Sequence, residues 1–142
     1  MNMYLDSSVV LRVILGEPDR LASWPSITHP VSSELIRLEC LRTIDRARIR
    51  LGLQDHLVAR YRAVVLDVLD AMTLVPVRAA VLDRAAGPFP TLLGSLDAIH
   101  LASAQLVREQ WGDLTLATHD AALGRAAMAV GMPVQGVAPG PG

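Results

Sequence analysis

Lysine is absent from this 142-residue chain: all 13 basic residues are arginines, set against 14 acids for a formal charge of −1. Without lysine there is no phosphate loop of the Gly-Lys-Ser/Thr kind. A chain so near neutrality exerts no general pull on nucleic acid, so any such binding must come from a local patch. Cysteine is almost as scarce. Cys40 stands alone, which excludes an internal disulfide and any cysteine-cluster zinc site and leaves it the role of a small buried apolar residue. Aromatics make up only 4% of the chain, so Leu, Val, Ala and Ile must supply the core. No apolar run approaches the roughly 20 residues that cross a bilayer. The opening MNMYLDSS has no basic segment followed by a long apolar stretch. A soluble cytoplasmic protein with no membrane partner is expected. Internal repeats and a glycine-rich dinucleotide fingerprint are missing as well.

What is present alternates between strand and helix. Met3 to Leu5 read as a short strand that ends at Asp6, and Val9, Val10, Val13 and Ile14 recur as one face of a helix stopped by Gly16 and Pro18. A turn-rich stretch with one short helical turn follows, then a second strand ending near Val31. Either Ser32 or Ser33 can cap the next helix, on which Ile36, Cys40, Ile44, Ala47 and Leu51 share a face until Gly52. Residues 54 to 72 form its hairpin partner, with Leu57, Tyr61, Val64, Val65, Val68 and Leu69 inward. Further strands are expected at 73–77, 114–117 and 132–137, and further helices at 79–86, 95–109 and 120–130. Such alternation implies a three-layer α/β/α sandwich around a mostly parallel sheet, because parallel neighbours need crossover connections. Its length suits one domain, residues 1–137, with 138–142 as a flexible tail.

Three acids sit where strands or loops give way to helices: Asp6, Asp97 in SLDAIHLASA, and Asp120 in THDAAL. In a parallel sheet such junctions gather at the carboxyl edge, where ligand crevices form. Each acid singly has an ordinary explanation, since Asp caps helix N-termini. Ser7 and Ser8, however, can cap the first helix without help from Asp6. Glu39 lies about 60° around the second helix from Ile36, at the edge of the apolar face, and can look into a cleft or pair with Arg42. Glu34 competes with it, but lies at the helix start, where the dipole accounts for it.

Carboxylates brought together repel, and a hard divalent cation relieves the repulsion. An oxygen-only set favours Mg²⁺, with Mn²⁺ able to substitute, over zinc. A water made acidic by such an ion attacks phosphodiesters, so the acids point to metal-dependent phosphodiester hydrolysis.

Taken together, MYLDSSVVL, SSELIRLECLR, SLDAIHLASA and LATHDAALGRAAMAVG resemble a PIN-domain ribonuclease, and more narrowly a VapC-type toxin. The likeness runs in order from Met3 to Val137. It implies a Mg²⁺- or Mn²⁺-dependent endoribonuclease of a toxin–antitoxin pair, a homodimer, inhibited by a VapB-like antitoxin. On that resemblance Asp6, Glu39, Asp97 and Asp120 are the catalytic acids, and Asp6, Asp97 and Asp120 the metal residues, the last acting through a water. Ser7 and Thr118 would orient water or carboxylates around them.

RNA must also be held. DRARIR and its neighbours carry Arg37, Arg42, Arg46, Arg48 and Arg50, of which Arg42, three residues from Glu39, is the phosphate candidate. Arg48 and Arg50 fit the negative end of the helix dipole. His100 and His119 lie beside the acids and are read as packing residues rather than bases. Two other readings remain open at this point. A receiver-like signalling domain also gathers acids and Mg²⁺ at a sheet edge, but such domains use a lysine that this chain lacks. A catalytically inactive PIN-like RNA-binding module would be expected to lose an acid, and all four are here.

Overall fold

A computed structural model of the chain describes residues 1–138. Five strands, β1 (Asn2–Leu5), β2 (His29–Ser33), β3 (Thr73–Val75), β4 (Thr115–Ala117) and β5 (Val134–Gln135), form one sheet in the order β3-β2-β1-β4-β5. All four pairings are parallel, and Tyr4 in the central strand aligns with Val31 on one side and Leu116 on the other. Helices α1 (Ser7–Ile14), α2 (Leu35–Leu51), α3 (Asp55–Asp70), α4 (Ala79–Ala85), α5 (Ser95–Trp111) and α6 (Ala121–Ala129) supply the crossovers. A single 3-10 turn, Trp24–Ser26, breaks the loop before β2.

Side chains of a strand alternate between faces, and the centre of the sheet shows it. Met3 and Leu5 point into a cluster with Val9 and Val10 of α1, Ile36, Cys40 and Ile44 of α2, and Val65 and Leu69 of α3. Tyr4 points the other way, toward Leu101, Ala104 and Val107 of α5 and Leu123, Ala126 and Ala127 of α6. The sheet thus separates two cores, which is the three-layer arrangement read from the sequence. No helix among the described residues is long and apolar enough to cross a membrane.

Several boundaries differ from the sequence reading. The second strand runs on to Ser33, because Ser32 and Ser33 are buried at its end and pair with Leu74 and Val75. Glu34, not a serine, therefore occupies the N-cap position of α2, although the Ser33 Oγ still accepts the Leu35 N–H at 3.1 Å. Leu51 and Val64 are exposed rather than inward: Leu51 ends α2 among exposed residues, and Val64 lies about 100° around α3 from the buried Val65. The third and last strands are shorter than 73–77 and 132–137, each with a proline that cannot donate to the ladder: Pro76 just after β3 and Pro133 just before β5. Of the expected tail, residues 139–142 lie outside the described residues.

Candidate active site

From β1 the chain builds outward to β2 and β3 on one side, then crosses to β4 and β5 on the other. That reversal opens a crevice at the carboxyl ends of β1 and β4. Asp6 follows β1 directly and sits at its floor, 5% exposed. It occupies the N-cap position of α1 with extended backbone, yet its side chain caps nothing. Instead Oδ2 accepts two hydroxyl hydrogen bonds, from Ser8 at 2.7 Å and from Thr118 at 2.8 Å. A carboxylate this deep needs such donors to satisfy its buried oxygen.

The donors are themselves held. Thr118, fully buried just after β4, accepts the Asp120 N–H at 3.0 Å. The Ser8 hydroxyl accepts the His119 N–H at 3.0 Å. The His119 ring Nδ1 donates to the carbonyl of Gly136 at 2.7 Å. Gly136, with φ +102°, lies so near that a Cβ there would stand 2.4 Å from the Thr118 carbonyl oxygen. The ends of β1, β4 and β5 are thereby tied around Asp6. Sequence reading passed over Ser8 in favour of Ser7, whose place is the wall of the neighbouring cavity. The signal for Ser8 was available: two residues past a strand-ending Asp, a serine on the first turn can reach back to the carboxylate.

Asp97 lies in the first turn of α5, where Gly94 holds the N-cap position and no side chain caps. Its pKa is pushed up to about 6 by partial burial and then by the charges of Asp120, Asp6 and Glu39, with His100 pulling the other way. Asp97 therefore feels the other three acids. Asp120 behaves differently. Its Oδ1 accepts from Ala122 N at 2.8 Å and Leu123 N at 3.1 Å, so it caps α6 while its second oxygen takes neither bond.

Glu39 projects from α2, and its Oε1 meets Nε2 of His100 at 2.5 Å. The other ring nitrogen of His100, Nδ1, is 2.7 Å from the Tyr4 hydroxyl, and Nε2 is also 4.0 Å from Asp6 Oδ1. Burial alone would push the His100 pKa down, but the hydrogen bond and charge of Glu39, with Asp6 and Asp97 behind, outweigh it and leave it raised. His100 is wholly buried, as expected from its place on the inner face of the helix, and both of its ring nitrogens have side-chain partners. Periodicity identified that face correctly and could not see what reached it from β1 and α2. Glu34, the competing acid, accepts the Val77 N–H at 2.7 Å and so ties α2 to the end of β3. The Cys40 thiol, buried beside Glu39 and Asp6, is pushed up to about 12 by burial first and those charges second.

Beside Glu39 opens a cavity of about 340 Å³ lined by Ser7, Leu38, Glu39, Arg42, Arg46 and Leu96, with Thr43 behind. Arg42 pairs with Asp45 at 3.2 Å, and Arg48 with the same carboxylate at 3.1 Å. These two guanidiniums, Arg48 chiefly, hold the Asp45 pKa below its ordinary value. Arg42 is 60% exposed, so the contact is screened and the side chain is free to exchange one anion for another.

Among the described residues, no three His, Cys, Asp or Glu side chains stand close enough to enclose an ion by themselves. Asp6 and Asp97 offer carboxylate oxygens alone, a donor set that fits a hard divalent cation.

The PIN domain family model matches residues 3–128, from the first strand to near the end of α6. Ribonuclease VapC46 of Mycobacterium tuberculosis is 36% identical over 135 residues, covering 93% of this chain and 95% of the relative. The family-model match spans every acid described above, and the chain belongs to the PIN-domain family, of the VapC type.

Proposed function

We propose that the protein is a divalent-metal-dependent endoribonuclease, the toxin of a toxin–antitoxin pair. The observation that carries this reading is geometric: on the crevice floor His100 Nε2 lies 4.0 Å from Asp6 Oδ1 and 2.5 Å from Glu39 Oε1, which brings acids from the end of β1 and from α2 together, and Asp97 of α5 is raised by burial and by their charges. Its relative is named a ribonuclease, which supports RNA as the substrate.

In this reading Asp6, Asp97 and Asp120 would hold Mg²⁺ or Mn²⁺. When bound, the ion makes a water acidic enough to attack phosphorus and stabilises charge on the phosphate oxygens. The remaining work falls to the chain. Thr118 and Ser8 fix Asp6 through its Oδ2 and leave Oδ1 free of either hydroxyl. Glu39, with a carboxylate side chain 19% exposed, accepts a proton or orients the attacking water. Arg42 and Arg46 line the adjoining cavity and offer paired donors to the RNA backbone.

The test is to incubate purified protein with RNA in Mg²⁺, in Mn²⁺ and in EDTA. Expected are cleavage with either ion, none with EDTA, and products bearing 5′-phosphate and 3′-hydroxyl ends. Cyclic phosphate ends or cleavage in EDTA would overturn the metal mechanism. For the biology, expression of the chain should arrest growth, and co-expression of a small neighbouring reading frame encoding a VapB-like antitoxin should restore it. A homodimer is proposed for the assembly, checked by sedimentation.

A further inference from the structure

Glu39 is the most mobile of the four acids by its chemistry. It has one more rotatable bond than aspartate and rides on a helix of the opposite layer from α5. Left alone it would swing toward solvent, away from Asp6 and Asp97, since like charges in a partly buried cleft repel. What restrains it comes from elsewhere in the fold. The His100 Nε2 lies 2.5 Å from Oε1, and the Tyr4 hydroxyl lies 2.7 Å from Nδ1 on the far side of the ring. Tyr4 and His100 are both fully buried, and their rings meet edge to face with centroids 5.8 Å apart at 78°. The imidazole is thus gripped at both nitrogens, and its plane is fixed by a neighbour in the central strand. Backbone carbonyls would satisfy a buried ring equally well; here both partners are side chains, and one of them is a carboxylate of the site.

We propose that Tyr4 and His100 are positioning residues for Glu39: Tyr4 orients the imidazole, and Nε2–H donates to the Glu39 carboxylate and holds it in the cleft. The donation holds whether the ring carries one proton or two, because Nε2 bears a proton in either case. This rests on the ribonuclease reading for its effect on rate, and on geometry alone for the contact.

The experiment uses the full chain and its His100→Ala, His100→Gln, Tyr4→Phe, Glu39→Gln and Glu39→Ala variants, together with the His100→Ala/Glu39→Gln pair. Misplacing one catalytic group costs roughly tenfold to a hundredfold, so His100→Ala should lower kcat by that factor with KM little changed. His100→Gln, whose amide can donate toward Glu39, should recover part of the loss. Tyr4→Phe, a deletion of one hydroxyl, should lower kcat severalfold while the protein stays folded. With Glu39→Gln already present, His100→Ala should lower kcat by less than about twofold more. An equal loss in both backgrounds, or unchanged kcat in Tyr4→Phe and His100→Ala, would overturn the proposal. In metal-free protein, the His100 Nε2–H proton should give a slowly exchanging downfield resonance that Glu39→Ala abolishes; a resonance unmoved by that change would also overturn it. Should the unaltered chain cleave no RNA, the ribonuclease reading fails, and this resonance still decides whether His100 holds Glu39.

Discussion

Thr118 Oγ1 stands 2.8 Å from Asp6 Oδ2, across the junction of the two central strands, and both side chains are buried. One hydroxyl serves two purposes, donating to the carboxylate and accepting the Asp120 N–H at 3.0 Å. Thr118→Val keeps the shape and removes both bonds. A hydrogen bond to a buried charge is worth about 1.5–3 kcal/mol, and a loss of that size is expected in urea unfolding. RNA cleavage should fall more than stability does, because Asp6 loses orientation. A variant as stable and active as the parent would contradict this role.

Gly136 is fixed by space. With φ +102° and the Thr118 carbonyl 2.4 Å from where a Cβ would lie, Gly136→Ala must push the end of β5 away from β4. The displacement would reach Thr118 and the His119 contact with the Gly136 carbonyl. A cost above about 1 kcal/mol is expected from the strained backbone alone, read as a lower Tm. Gly16→Ala, also at positive φ but with no atom near its Cβ position, separates the two effects: it should lower Tm without lowering cleavage. Equal effects on activity would contradict the steric argument.

The fold was largely legible because its signals are local. Strand and helix alternated at their own periods, Gly16 and Gly52 marked the ends of the first two helices, and the order of elements left few topologies for a parallel sheet. Strand ends were less legible, since Ser32 and Ser33 look like caps in sequence and become strand only through their pairing with Leu74 and Val75. In the candidate site the acids could be proposed from their junction positions, whereas their partners could not. Ser8, Tyr4 and His100 act across separations of up to 111 residues, which no periodicity encodes.

Asp97 makes stability depend on pH in a definite direction. The native carboxyl, at about 6, takes up its proton at a higher pH than the unfolded chain does, near 3.8. Between about pH 4 and 6 the native state binds more protons, so this group's contribution falls as pH rises through that window and stays unfavourable above it. In EDTA, Asp97→Asn should therefore melt higher than the parent at pH 7, with the gap closing near pH 4. Mg²⁺ or Mn²⁺ should raise the Tm of the parent and not of the variant. Identical melting at pH 7 without metal would show that Asp97 carries no such strain.

The most direct measurement is the initial rate of RNA cleavage by the unaltered chain and by Asp97→Asn at saturating Mg²⁺, with thermal melts confirming that both are folded. Losing one carboxylate from an ion site removes several kcal/mol of transition-state stabilisation, so a fall of about a hundredfold or more is expected. Metal-dependent cleavage at an undiminished rate by folded Asp97→Asn would contradict the assignment of this cleft as the active site.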